Sequence, residues 1–184
     1  SGEFSFAVIK HKEWLQNRYN ANEALYAWSP KVIDWHEQFG FITWKSSSNS
    51  KGFECNDSLD WDRGFFEMYS NKDFSIKGYN YISAKISDCS IIDLHPDFKW
   101  SWNILSERDL IVADLDFIKR HIGQLTFAPI LPKIDAKAIT VLYDIDEFKE
   151  QVTNQNAWGL VTKYIEKDAI LRNIDNPNWD WHII

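Results

Sequence analysis

Three Asp-x-Asp pairs are the residues whose type and spacing come nearest to a chemical site. The pairs read Asp60-Trp61-Asp62, Asp114-Leu115-Asp116 and Asp144-Ile145-Asp146. Paired carboxylates supply the oxygen ligands that hard divalent cations prefer. Successive residues of a helix point about 100° apart, however, and no glycine-containing calcium loop surrounds any pair. We therefore interpret the leading Asp of each pair as a helix N-cap, and the sequence predicts no metal ion and no cofactor.

The histidines, cysteines and hydroxyl residues form no catalytic arrangement in the sequence. No two His stand four residues apart, as in a helical zinc pair, and Cys55 and Cys89 lack metal-ligand spacing. His36 and His95 occupy equivalent positions in two similar segments, which favours a structural role, because a catalytic His is needed once. Cys89 stands beside an apolar run and is interpreted as a buried thiol. With no phosphate-binding loop and no Gly-x-Ser-x-Gly elbow, the sequence predicts a protein that is not an enzyme.

A recurring signature organises the elements that position these residues. It consists of an aromatic residue, a spacer, two apolar residues and often Ser or Thr. Copies begin at Tyr79, Trp102, Phe127, Trp158 and Trp181, at steps of 23, 25, 31 and 23 residues, and the copy at Phe127 is the weaker one. Near-regular recurrence at this period is typical of a stacked repeat array.

A second element lies between the signatures and begins near each Asp pair. Counted from the first Asp, positions +1 and +8 are apolar, and position +4 is Ile118 or Phe148 in two of the three copies. This stripe is one face of an α-helix. The predicted unit is therefore a pair of short helices that buries its faces by stacking on neighbouring units. The predicted fold class is all-α, an irregular, solenoid-like helical repeat.

The remaining segments suggest the domain organisation. Residues 5–30 predict a helical entry that ends at Pro30, and residues 45–58, rich in Ser, Asn and Gly, predict a flexible loop. An internal boundary in that loop is the weaker option. The runs Phe39–Trp44 and Ile139–Tyr143 are short enough to be strands, so a compact α+β domain is the alternative fold. Residues 1–4 resemble a cloning remnant, and 5–184 are predicted to form a single domain, a fragment of a longer protein.

Composition excludes several classes of function. The chain has 184 residues and a net charge of −7, which disfavours a general polyanion binder, because such binding depends on Lys and Arg neutralising phosphates. Nothing resembles a signal peptide, and no apolar run approaches the roughly 20 residues that span a bilayer. We therefore expect a cytoplasmic protein with no membrane partner. Ten Trp exceed the needs of ordinary core filling.

Two segments carry a resemblance to a known repeat type. They run from His95-Pro96-Asp97 to Trp102-Asn103-Ile104-Leu105-Ser106, and from Asn176-Pro177-Asn178 through Trp179-Asp180-Trp181 to Ile184. This pattern resembles the short Trp-rich repeats, of the form N/H-P-D…W-D-W…I-S, seen in arrays in large DNA viruses and some bacteria. The resemblance covers about the last half of the chain. It implies helical repeats and an interaction role, and it carries no catalytic residues.

Four Trp fall outside the main aromatic position of the signature: Trp35, Trp61, Trp100 and Trp179. Exposed on a concave surface, they would be strong anchors for a partner, whereas the alternative is that all four belong to the core. The favoured function is a non-enzymatic helical repeat module that binds another protein. The first alternative is a nucleic-acid-associated module that stacks bases on exposed aromatic residues. The second is an enzyme fragment, which a pocket with perturbed carboxylates or His would support.

Overall fold

The computed structural model describes residues 30–38, 40, 42–45 and 52–183, and within these ranges every regular element is a helix. The all-α class is thereby confirmed. The α+β alternative is not found where it can be tested, because the run at Ile139–Tyr143 lies inside a helix and residues 42–45 form no strand. The predicted helical entry falls almost wholly outside the described residues, but Pro30 begins a helix, a position where its missing N–H costs nothing.

The chain divides into two compact units, Ser1–Ile86 and Ser87–Ile184. The sequence predicted a single domain and, as the weaker option, a boundary within 45–58. The described helices of the first unit are α1 (Pro30–Gln38), α2 (Arg63–Tyr69) and α3 (Ile76–Lys85), with a 3-10 turn at Phe53–Cys55. Those of the second are α4 (Ser90–Leu94), α5 (Trp102–Ser106), α6 (Asp109–Val112), α7 (Leu115–Arg120), α8 (Ala136–Tyr143), α9 (Asp146–Asn154), α10 (Trp158–Tyr164) and α11 (Lys167–Arg172).

A helix begins within or directly after each Asp pair, as predicted. The leading Asp is the N-cap, however, in only one of the three pairs. Asp114 caps α7 and accepts the Phe117 N–H at 2.8 Å. In the first pair the cap of α2 is Asp62 rather than Asp60, and in the third pair Asp144 ends α8. The reason is backbone conformation: an N-cap needs an extended backbone, which Asp62 has, whereas Asp144 is helical.

The core of the first unit is aromatic and includes part of the predicted loop. Trp44 packs edge-on against Phe53 with ring centroids 5.2 Å apart, and Trp61 does the same against Phe65 at 5.0 Å. Phe53, Glu54 and Cys55 are all buried. The prediction of a flexible loop at 45–58 is therefore wrong for residues 53–55, where two apolar side chains enter the core. Residues 46–51 of that loop lie outside the described part.

Glu54 is a fully buried carboxylate that holds the start of α3. It accepts the Ser75 backbone N–H at 3.0 Å and also the Ser75 hydroxyl hydrogen. The hydroxyl oxygen in turn accepts the Gly78 N–H at 3.1 Å, so Ser75 caps the helix. A negative charge at a helix N-terminus complements the unpaired N–H groups there. Gly78 leaves the space that the carboxylate occupies, since a Cβ at this position would lie 2.9 Å from Glu54 Cγ.

Gly78→Ala is expected to lower the free energy of unfolding by about 1–3 kcal/mol, because the new methyl group overlaps the buried Glu54 side chain. Gly64→Ala is the matched control. It also adds a methyl group near a helix start, but the nearest atom there is Asp62 Oδ1 at 3.6 Å. The control should be neutral or stabilising by up to about 1 kcal/mol, since Ala favours helix over Gly. Urea unfolding followed by Trp fluorescence measures both, and equal effects would contradict the role assigned to Glu54.

The hydroxyl residue of the signature is buried in three copies and makes the same bond in each. Ser83 donates to the Tyr79 carbonyl at 2.8 Å, Ser106 to Trp102 at 2.7 Å, and Thr162 to Trp158 at 2.9 Å. In two copies the same oxygen also accepts a distant backbone N–H. Ser106 Oγ accepts that of Thr126 at 2.9 Å, and Thr162 Oγ1 accepts that of Asp180 at 3.2 Å. The hydroxyl therefore joins its own helix to a segment about twenty residues later in the chain.

Gln155 holds the other side of the segment that Ser106 contacts. Its amide nitrogen donates to the Leu125 carbonyl at 2.9 Å, and its amide oxygen accepts the Phe127 N–H at 2.7 Å. Residues 125–127 belong to no helix, and the side chains of Leu125 and Phe127 are buried. Buried backbone groups must find partners, and here two side chains supply three of them. The start of the weaker copy at Phe127 is thus held by the amide side chain of Gln155.

Gln155→Ala should lower the free energy of unfolding by about 1–3 kcal/mol, because it leaves the Leu125 carbonyl and the Phe127 N–H without partners. Gln155→Glu should recover little, since a carboxylate cannot donate to the Leu125 carbonyl. Gln124→Ala, at an exposed position in the preceding turn, is the control and should stay within about 0.5 kcal/mol of the parent chain. Chemical denaturation of the four proteins makes the comparison. A Gln155→Ala protein as stable as its control would refute the bridge.

Candidate functional site

Three of the four surplus Trp residues lie in the core. Trp61, Trp100 and Trp179 are 0%, 7% and 4% exposed. Trp35 lies in α1, and its side chain is outside the described part of the chain. The prediction that these residues are exposed anchors for a partner is therefore wrong for Trp61, Trp100 and Trp179.

Two of these buried indoles each donate a hydrogen bond to a backbone carbonyl. Trp100 Nε1 donates to the His95 carbonyl at 2.9 Å, and Trp179 Nε1 donates to the Asn173 carbonyl at 2.7 Å. His95 and Asn173 are the C-caps of α4 and α11, and each carbonyl also accepts a backbone N–H, from Phe98 and Asn176 respectively, so each indole is the second donor to a carbonyl at a helix end. The signal available in the sequence was the spacing, because each Trp follows a helix end by five or six residues.

Asp93, Arg120 and His121 form the closest group of titratable side chains in the second unit. Asp93 Oδ1 lies 2.7 Å from His121 Nε2, and Asp93 Oδ2 accepts a hydrogen bond from Arg120 at 2.8 Å. Burial by itself raises the pKa of Asp93, but the hydrogen bonds from His121 and Arg120 and the nearby positive charge hold that pKa below its usual value. The His121 ring lies at a tilt against two aromatic rings, with centroids 5.2 Å from Trp102 and 4.3 Å from Phe117.

An aspartate that orients a histidine can activate a nucleophile. Within the described residues, however, no Ser, Thr or Cys side chain is hydrogen-bonded to His121. The carboxylate instead ties α4 to the end of α7, and the imidazole packs against two aromatic rings. This arrangement is that of a structural ion pair.

Cys89 is buried, as predicted, and its thiol donates to the Leu110 carbonyl at 3.6 Å. Burial, together with the negative charges of Asp114, Asp88 and Asp93, raises the pKa of Cys89 to about 11. Because only the thiolate is a strong nucleophile, the thiol is unreactive near neutral pH.

The alkylation rate of Cys89 tests this description. In a Cys55→Ala chain, iodoacetamide should modify folded Cys89 at least roughly 100-fold more slowly at pH 7.5 than the same thiol in urea, where its pKa is about 8.5. A raised thiol pKa contributes stability that is complete below the unfolded pKa and is lost as the pH rises toward about 11. Equal rates in folded and unfolded protein would show that the thiol is neither buried nor perturbed.

A groove of about 660 Å³ in the second unit is a concave surface that could receive a ligand. One wall comes from α6 and the start of α7, and the other from the turn before α8 and its first residues. Eight residues line the groove: Asp109, Val112, Ala113, Leu115, Lys133, Ile134, Asp135 and Ala138.

The charged groups of this groove are already engaged in holding its walls. Lys133 Nζ donates to the Glu107 carbonyl at 2.6 Å and to Asp109 at 2.8 Å. This hydrogen bond, and the charge of Lys133, lower the pKa of Asp109. Asp135 caps α8 by accepting the Ala138 N–H at 2.7 Å. The remaining lining is aliphatic, so the groove can bury apolar side chains of a ligand.

Two further findings apply to the described ranges only. No group of three or more His, Cys, Asp or Glu side chains is placed there to hold a metal ion. None of the helices in those ranges is long and apolar enough to cross a bilayer.

Comparison with known proteins gives no relative. No family model, no curated protein and no solved structure matches the chain. The resemblance to Trp-rich viral and bacterial repeats therefore stays a prediction from the sequence.

Proposed function

We propose that this chain is a non-enzymatic helical repeat module that binds another protein, and that the partner occupies the groove between α6–α7 and α8. The observation that carries the proposal is the groove itself, in which five of the eight lining residues are aliphatic and each of the three charged ones is hydrogen-bonded to a neighbour. The recurring bonds of Ser83, Ser106 and Thr162 support the repeat architecture, because equivalent residues make equivalent contacts.

The proposed occupant is an amphipathic helix of the partner that places an aliphatic stripe in the groove. A groove walled by helices suits this mode of recognition. The rim carries two aspartates and one lysine, and the whole chain has a net charge of −7. A basic residue beside the aliphatic stripe of the partner would therefore be attracted rather than repelled.

Other features weigh against the two alternative functions. Base stacking on the surplus Trp residues would require exposed rings, and three of the four, Trp61, Trp100 and Trp179, are buried. An enzyme of the nucleophilic type requires an activated side chain, and the raised pKa of Cys89 opposes that role. These observations support a protein partner over a nucleic acid or a substrate.

The proposal is tested by blocking the groove without disturbing the fold. Ala113→Arg and Ala138→Arg place a long charged side chain on either wall, and Ala84→Arg makes the same change at an exposed position of α3 in the other unit. The four proteins are used as bait in extract of the source cells, with and without nuclease. The retained protein is then purified and its affinity measured by titration calorimetry. We expect both groove variants to weaken binding at least roughly 10-fold, by about 1.4 kcal/mol or more.

Ala84→Arg should bind within about twofold of the parent chain, and circular dichroism should show all variants folded. Binding that is unchanged by both groove substitutions would show that the groove is not the interface. Retention that disappears on nuclease treatment would favour the nucleic-acid alternative.

A further inference from the structure

The three charged residues that line the groove are not equally neutralised. Lys133 Nζ lies 2.8 Å from Asp109 Oδ1, so these two opposite charges form an ion pair on the rim. Asp135 forms an ion pair with no Lys, Arg or His side chain in the part of the chain that the structure describes. The lining therefore carries one negative charge without a matching cation, and that charge belongs to Asp135.

The Asp135 carboxylate has room for a further partner. Its Oδ1 accepts the Ala138 N–H at 2.7 Å and so caps α8. Its other oxygen, Oδ2, accepts no hydrogen bond from any residue in the described ranges, and the residue is exposed. An ionised carboxylate has about four lone-pair sites. Asp135 can therefore hold the start of the helix through one oxygen and bind a cation through the other.

Aliphatic side chains share the groove with this carboxylate. Ile134 precedes it in the chain, and Ala138 lies one helical turn further along α8. Val112 and Leu115 belong to the opposite wall. A cation that reaches Asp135 thus lies beside apolar surface, where its attraction to a carboxylate is screened less than in open water.

On the basis of the proposed function, we infer that Asp135 determines which partner helix the groove accepts: one that carries Lys or Arg three or four residues from an aliphatic residue. The spacing follows from α8, because Asp135 and Ala138 are three residues apart and a partner helix presents residues i, i+3 and i+4 on one face. The aliphatic side chain lies over Ala138 while the cation reaches Asp135. A helix with Asp or Glu in place of the cation is repelled.

Selection from a phage-displayed peptide library tests this specificity. The probe is a helical library of roughly 18 residues, long enough to form a helix, with Leu fixed on one face and the positions three and four residues on either side randomised. The library is selected on the parent chain, on Asp135→Asn and on Asp144→Asn. Asn caps a helix as well as Asp does, so Asp135→Asn removes the charge and keeps the start of α8. Asp144→Asn is the control, because it removes the same charge at the exposed other end of α8, outside the groove lining.

Peptides selected on the parent and on Asp144→Asn should be enriched in Lys or Arg at the randomised positions, and those selected on Asp135→Asn should not. The peptide most enriched on the parent should bind Asp135→Asn about two- to fivefold more weakly at about 0.15 M salt, the range of an exposed ion pair. This loss should shrink at about 0.5 M salt, where the charges are screened. A defect in folding alone would not depend on salt in this way.

Enrichment of Lys and Arg that persists on Asp135→Asn would overturn the inference, as would a parent selection with no preference for these residues. Either result leaves the proposed function standing if Ala113→Arg and Ala138→Arg still weaken binding of the selected peptides. Selected peptides that bind these two variants as tightly as the parent would contradict the proposed function instead. A parent chain that selects no peptide would count against both.

Discussion

The second unit depends on the hydrogen bonds that fix the backbone from Leu125 to Phe127. This segment belongs to no helix, and the side chains of Leu125 and Phe127 are buried, so the Leu125 carbonyl and the N–H groups of Thr126 and Phe127 need partners from elsewhere. Ser106 supplies one bond from the side of α5, and Gln155 supplies two from the end of α9. Most helices of this unit have only four to seven residues, too few to be stable alone. Their positions are therefore set by such links and by apolar burial.

The same constraint explains how the Trp residues are used. A short helix leaves most of its carbonyl groups without partners inside the helix. The indoles of Trp100 and Trp179 donate to one carbonyl each at a helix end and are buried in doing so. The high Trp content therefore reflects the capping of short helices as well as the filling of the core. In the first unit the buried carboxylate of Glu54 pairs with a backbone N–H at the other kind of helix end, the start of α3.

The helical class and the hydroxyl positions were predictable from the sequence, because both follow from local periodicity. Asp114 was identified as a cap for the same reason. The burial of Trp100 was one of two interpretations left open by the sequence, since its neighbour Trp102 has the same residue type and differs only in its distance from a helix end. The contact of Gln155 with Leu125 joins residues thirty positions apart, and no local pattern encodes it. The groove arises from packing between α6, α7 and α8, so none of its lining residues was predicted to contact a ligand.

The proposed function rests on a scaffold whose backbone is held by side chains, which keeps the groove walls in place for a partner. Hydrogen exchange of individual amides, followed by NMR, tests that scaffold most directly. The account predicts that the amides of Thr126 and Phe127 exchange as slowly as those in the middle of α8, although they lie in no helix, because each donates to a side chain. Exchange as fast as that of the exposed Gly123 in the preceding turn would contradict it, because the segment would then open independently of the helices around it.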